Sequence, residues 1–139
     1  MAVRRWASAL LSLILAAFLV GAASDRYDRA VWGGWLDEDA DCQDTRQEVL
    51  IRDAEPGSIE WRVGHEGCQV ATVRWTDPWT GTHVSNPGQM DIDHHVPLKN
   101  AHDSGGWRWA RARKQAYANN LSFPGHLRAV LASANREKG

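Results

Sequence analysis

Residues 1–23 decide how much of this chain is left to fold, and in which compartment. Arg4 and Arg5 give a positive start, Trp6 to Val20 is apolar apart from Ser8 and Ser12, and Gly21-Ala22-Ala23 supplies the small residues a signal peptidase requires. Against the roughly 20 residues needed to span a bilayer the apolar run is marginal. The pattern therefore predicts a cleaved secretory signal over residues 1–23 rather than a retained anchor, with no stable membrane association after cleavage. Residues 24–139 remain as one small domain with a modest core. Export also governs the two cysteines: in an oxidising compartment Cys42 and Cys68 are expected to pair. Closing a loop of that length stabilises a small domain by roughly 3 kcal/mol in the chain-entropy account. A zinc pair would call for a C-x-x-C spacing that these cysteines lack.

A hydrophobic fraction of 43% with 24% charged residues excludes a wholly disordered chain, and a net charge of −1 excludes a histone-like polycation. The average hides a gradient. Asp25 to Glu60 holds 11 acidic and 4 basic residues, whereas Lys99 to Gly139 holds 8 basic and 2 acidic ones. An anionic partner would meet the C-terminal part. Along the chain, a short helix is expected before Gly33-Gly34, a strand-like end within Thr45–Arg52, and alternation typical of strands in Ser58–Val63 and Gln69–Trp75. Met90 to Val96 reads as a strand ending at Pro97. Trp107 to Asn119, free of Gly and Pro, reads as the clearest helix. Leu127–Leu131 fits either period. The class is α+β, strands first and helix late.

The densest polar cluster is Asp91-Ile92-Asp93-His94-His95-Val96-Pro97-Leu98. Two histidines and two carboxylates in an apolar strand are costly to bury without partners. They suit proton transfer and a hard cation. With Asn135-Arg136-Glu137-Lys138 at the end of the chain, the cluster resembles the HNH, or His-Me finger, endonucleases. The resemblance extends to secreted bacterial proteins related to the C-terminal nuclease domain of the GmrSD restriction enzyme. It is carried, in order, by Trp32-Gly-Gly-Trp35, Asp41-Cys-Gln-Asp-Thr-Arg46, Trp75-Thr-Asp-Pro-Trp79, Asp91 to Ser104, Tyr117-Ala-Asn-Asn-Leu121 and the Asn135 motif.

The resemblance implies a small α+β domain with a ββα-metal core, in which Leu127–Leu131 is the second strand and Asn135 lies in the first turn of the helix after it. It implies Asp93 and Asn135 as metal ligands and His94 as general base. His126 stands where the family has a bracing asparagine, and would either brace or add a third ligand. His95 replaces an apolar residue. Strict alternation pairs Asp93 with His95 on one face, so a base at His94 requires an irregular strand end. The implied activity is hydrolysis of phosphodiester bonds in DNA or RNA by an exported enzyme. The implied cofactor is one divalent ion, Mg²⁺ or Mn²⁺ for oxygen ligands, with Zn²⁺ or Ni²⁺ favoured only if His126 binds.

Arg108, Arg111 and Lys114 recur at i+3, a basic stripe suited to a phosphate backbone, and Arg136 and Lys138 could clamp a phosphate. Trp107 and Trp109 read as packing residues before stacking ones. No helix-turn-helix or zinc-finger spacing is present, so little sequence preference is expected. Asp37-x-Asp39-x-Asp41 with Glu48 follows the EF-hand loop, but Cys42 replaces its glycine and is expected to resist the sharp turn, leaving a solvated acidic loop. His65, His83 and His102 read as ordinary surface. Two alternatives compete: a secreted zinc peptidase of the cell wall using His95, His102 and Asp103, and a catalytically inactive nucleic-acid-binding domain.

Overall fold

The computed structural model describes residues 26–137. The signal-peptide assignment of residues 1–23, and Lys138, lie outside them. The short helix before the glycine pair is a 3-10 turn, Arg29–Trp32, opened by the Asp28 side chain accepting from the Ala30 amide. Gly33 closes it at φ +75°, and a Cβ there would stand 2.8 Å from the Gln115 side chain, so glycine is required twice over.

Thr45–Arg52 forms helix α1, which corrects the strand-like expectation. Asp44 caps it by accepting from the Gln47 amide, and Thr45, Val49 and Leu50 all fall on the buried face. A good N-cap and an apolar stripe at helical spacing outweigh the β-branched Val-Leu-Ile end. Three antiparallel two-stranded ladders follow: β1 (Glu60–Trp61) with β2 (Val70–Thr72), β3 (Trp75–Thr76) with β4 (His83–Val84), and β5 (Met90–His94) with β6 (Leu127–Leu131). Helix α2 (Leu98–Asp103) and helix α3 (Arg111–Ala118) lie between β5 and β6, and helix α4 (Ala132–Glu137) follows β6 directly. The class is α+β as expected. Helix is not confined to the late chain, because α1 precedes every strand.

The expected helix Trp107–Asn119 is broken. Gly106–Arg108 is a 3-10 turn, Trp109 and Ala110 are extended, and α3 begins at Arg111. Packing overrides propensity here. Gly106 sits so close to the Ala101 carbonyl that a Cβ would approach it to 2.6 Å, while Trp109 turns to meet Trp32 edge-on at 6.0 Å and Tyr117 at a tilt at 5.5 Å between ring centroids.

The main core joins Val49 and Leu50 of α1 to Val70, Trp75, Val84, Met90, Ile92, Leu127 and Ala129 of the three ladders. A smaller one gathers Trp32, Leu98, Ala101 and Ala118. The β5–β6 ladder stays two-stranded because side chains satisfy the outer edge of β6. Arg52 donates to the Leu127 carbonyl at 2.6 Å, Asp53 accepts from the Ala129 amide at 2.9 Å, and Asp77 accepts from the Leu131 amide at 2.8 Å. Cys42 and Cys68 are disulfide-bonded, as expected, which ties the acidic loop to the turn between β1 and β2.

Candidate active site

β5 alternates strictly. Met90, Ile92 and His94 are buried, while Asp91 and Asp93 lie on the other face. Pairing sets Asp93 opposite Arg128 and Asp91 opposite Val130, so each pair shares a face. Helix α4 packs against both strands and brings the end of the chain to Asp91. The Asn135 amide Nδ2 donates to Asp91 Oδ2 at 3.2 Å, and Arg136 Nη2 to Oδ1 at 3.3 Å. Residues 44 and 45 positions apart thus meet on one face. Because Asn135 spends its NH₂ on Asp91, its carbonyl oxygen is the atom it has to offer a cation. The Asp93 carboxylate, the other ligand the resemblance implies, also offers oxygen, and oxygen donors suit Mg²⁺ or Mn²⁺.

Beyond α4 the same face opens into a cleft of about 520 Å³ lined by Asp93, His95 and Arg128, with Trp79, Phe123, Pro124 and Gly125 around it. The irregular strand end is absent. His94 still pairs with Leu127, and the His95 amide donates to the His126 carbonyl at 2.8 Å. His95, not His94, therefore shares the cleft with Asp93.

His94 is 8% exposed. Its Nε2 donates to the Ala118 carbonyl at 2.9 Å, because a carbonyl can only accept, so the neutral ring carries its lone pair on Nδ1. Trp35 stacks on it at 5.9 Å and His126 meets it edge-on at 5.6 Å. Burial pushes its pKa down to about 4. The Ala118 bond opposes that shift, and His126 and Arg29 add to it. His126 donates from Nε2 to the Tyr117 carbonyl at 2.9 Å and lies edge-on to Tyr117 at 4.8 Å. The two histidines thus hang from successive carbonyls at the C-terminal end of α3, where the helix dipole and unpaired carbonyls favour N–H donors.

The basic stripe is not a stripe. Arg108 sits in the 3-10 turn over the Trp107 ring at 4.6 Å, and only Arg111 and Lys114 belong to α3. Lys114 is buried, with Nζ on the Trp107 carbonyl at 3.2 Å, and lines a separate pocket with Arg26, Arg29 and Arg111. His102, expected at the surface, is buried edge-on to Tyr27, and Asp103 is ion-paired with Lys99. Among the described residues no metal-capable group joins His95, His102 and Asp103, which removes the observation the peptidase alternative needed.

The group that does converge is Asp37, Asp39 and Asp41, with oxygens within 4.8 Å of one another. Cys42 adopts φ +76°, so the cysteine accepts the left-handed turn it was expected to resist, steadied by its amide donating to Asp37 Oδ2 at 3.0 Å. Burial raises the Glu48 pKa, with Asp39 and Asp41 adding to the shift. Exposed acidic groups of this kind are common without an ion.

Asp91 and Trp79 stand in the sequence motifs without an assigned role, and Arg128 and Phe123 are assigned none there. Period-two alternation could have supplied Asp91. The other three depend on strand register and on two loops that meet only in the fold.

No family model and no solved structure matches the chain. A protein of Arthroderma benhamiae, described as an uncharacterized secreted protein, is 34% identical over 115 residues. The match covers 83% of this chain and 53% of that protein, so the chain spans about half the length of the relative it matches. No helix among the described residues is long and apolar enough to cross a membrane. With its disulfide and a secreted relative, this is an extracellular α+β protein.

Proposed function

We propose that the protein is an exported, metal-dependent nuclease with a ββα-metal core formed by β5, β6 and α4. The observation that carries this reading is the gathering of Asp91, Asp93, Arg128, Asn135 and Arg136 on one face of the β5–β6 ladder beside an open cleft. Oxygen ligands for a hard cation and guanidinium groups for a phosphate, side by side, are what phosphodiester hydrolysis requires.

Asp93 and Asn135 would hold the divalent ion, and Asp91 orients Asn135 for that task. When bound, the ion neutralises charge on the phosphate and on the leaving oxygen. His95, which lines the cleft with Asp93, serves as general base, because His94 is buried on the opposite face of β5 and the irregular strand end that a base at His94 requires is absent. His126 acts as a brace, with Nε2 donating to the Tyr117 carbonyl. Arg128 and Arg136 hold the phosphate. A second reading keeps the base at His94, as the resemblance implies, with its Nε2 held by the Ala118 carbonyl and its lone pair on Nδ1.

Cleavage of labelled oligonucleotides with Mg²⁺ or Mn²⁺, against an EDTA control, tests the proposal. EDTA should abolish cleavage, and Asp93→Ala should match its effect. His95→Ala should lower the rate by about 10²–10⁴-fold with the fold intact. Full activity in His95→Ala with loss in His94→Ala transfers the base to His94. No cleavage under any metal sinks the nuclease reading.

A further inference from the structure

We propose that the cleft beside Asp93 takes an unstacked nucleobase between Trp79 and Phe123, which makes the site selective for single-stranded polynucleotide; this rests on the nuclease reading above. Trp79 is 48% exposed and Phe123 is 64% exposed, and the two come from different loops to line one cleft with Asp93, His95 and Arg128. Two large, part-exposed aromatic side chains lining one polar cleft mark a binding surface.

The Trp79 loop is built in advance. Asp77 Oδ2 accepts from the Trp79 amide at 3.2 Å, from the Thr80 amide at 2.8 Å and from Thr80 Oγ1 at 2.8 Å, while Asp77 Oδ1 is fixed to β6. On the opposite side the Phe123 carbonyl accepts from the His126 amide at 3.1 Å, which anchors that loop to the start of β6. A flat, apolar ligand between these rings must also carry an anion to Arg128, and a nucleotide does both. In a duplex each base face is covered by its neighbours, whereas a single strand presents its bases to aromatic side chains.

The test measures binding in EDTA, where no cleavage occurs, of a fluorescein-labelled oligothymidylate and of a blunt DNA duplex to the full-length exported protein. The single strand should bind at least about tenfold tighter than the duplex. Trp79→Ala and Phe123→Ala should each weaken single-strand binding by about tenfold and leave duplex binding unchanged, while Trp79→Phe restores most of the affinity. Equal affinity for the duplex, or wild-type single-strand binding by both alanine variants, overturns the stacking proposal. Cleavage with Mg²⁺ is scored separately. Tight, aromatic-dependent binding without cleavage overturns the nuclease reading while upholding the stacked base. Equal cleavage of both substrates with unaffected alanine variants does the reverse.

Discussion

His94 is where burial and titration meet in one residue. Burial lowers its pKa to about 4 from the ordinary 6.5, so between those values the unfolded chain binds a proton that the folded chain refuses. The stabilising effect is complete above pH 6.5 and is lost as pH falls toward about 4. The difference is worth about 3 kcal/mol. Urea midpoints taken across that window should fall as the medium is acidified, and His94→Phe should flatten the fall. Asp93, by contrast, needed only the period of a strand to be placed opposite His94. That much of the site was legible, as were Asn135 in the first turn of α4 and the alternation that groups Asp93 with His95. The Asp91–Asn135 bond was not, because it depends on which residue of β6 pairs with which of β5, and register is set by packing.

At the scale of elements, β5 and β6 were legible, although β5 ends at His94, two residues short of the expected Val96. The α1 helix was missed although its cap and buried stripe are local signals, and the break before α3 was missed because it is settled by contacts distant in sequence. The fold also leans on an unforeseen device, the side chains that close the outer edge of β6. Asp77 is the buried one, and its carboxylate accepts four hydrogen bonds. Burial works against its charge, but hydrogen bonds from Leu131, Thr80 and Trp79 outweigh that and hold its pKa below the usual carboxylate range. Asp77→Ala would strand the Leu131 and Thr80 amides. It should destabilise the fold by about 2–4 kcal/mol at neutral pH, read as a lower urea midpoint with an unchanged slope. It should also loosen the Trp79 loop and so weaken single-strand binding, although Asp77 itself touches no substrate.

For the whole molecule, the charge gradient read from the sequence survives folding, but its basic end is divided. Arg111 and Lys114 face one pocket with Arg26 and Arg29, while Arg128 and Arg136 belong to the candidate site. If the substrate follows the site, Arg128→Ala and Arg136→Ala should each reduce the slope of log K against log salt for a single strand by about 0.7, and Lys114→Met should leave it unchanged. The opposite pattern would route the backbone through the other pocket.

The side-chain closure of β6 also bears on how this protein behaves at high concentration outside the cell. An uncovered strand edge is a template for pairing with other chains, and here two of the three covers are carboxylates. In an acidic medium, once Asp77 takes up its proton, its hold on the Leu131 amide weakens and β6 begins to offer its backbone to a neighbour. Self-association by strand addition, visible as thioflavin-positive fibrils at acid pH while the ladder is still folded, is then the natural fate of the acidified protein, and Asp77→Ala should reach it at neutral pH.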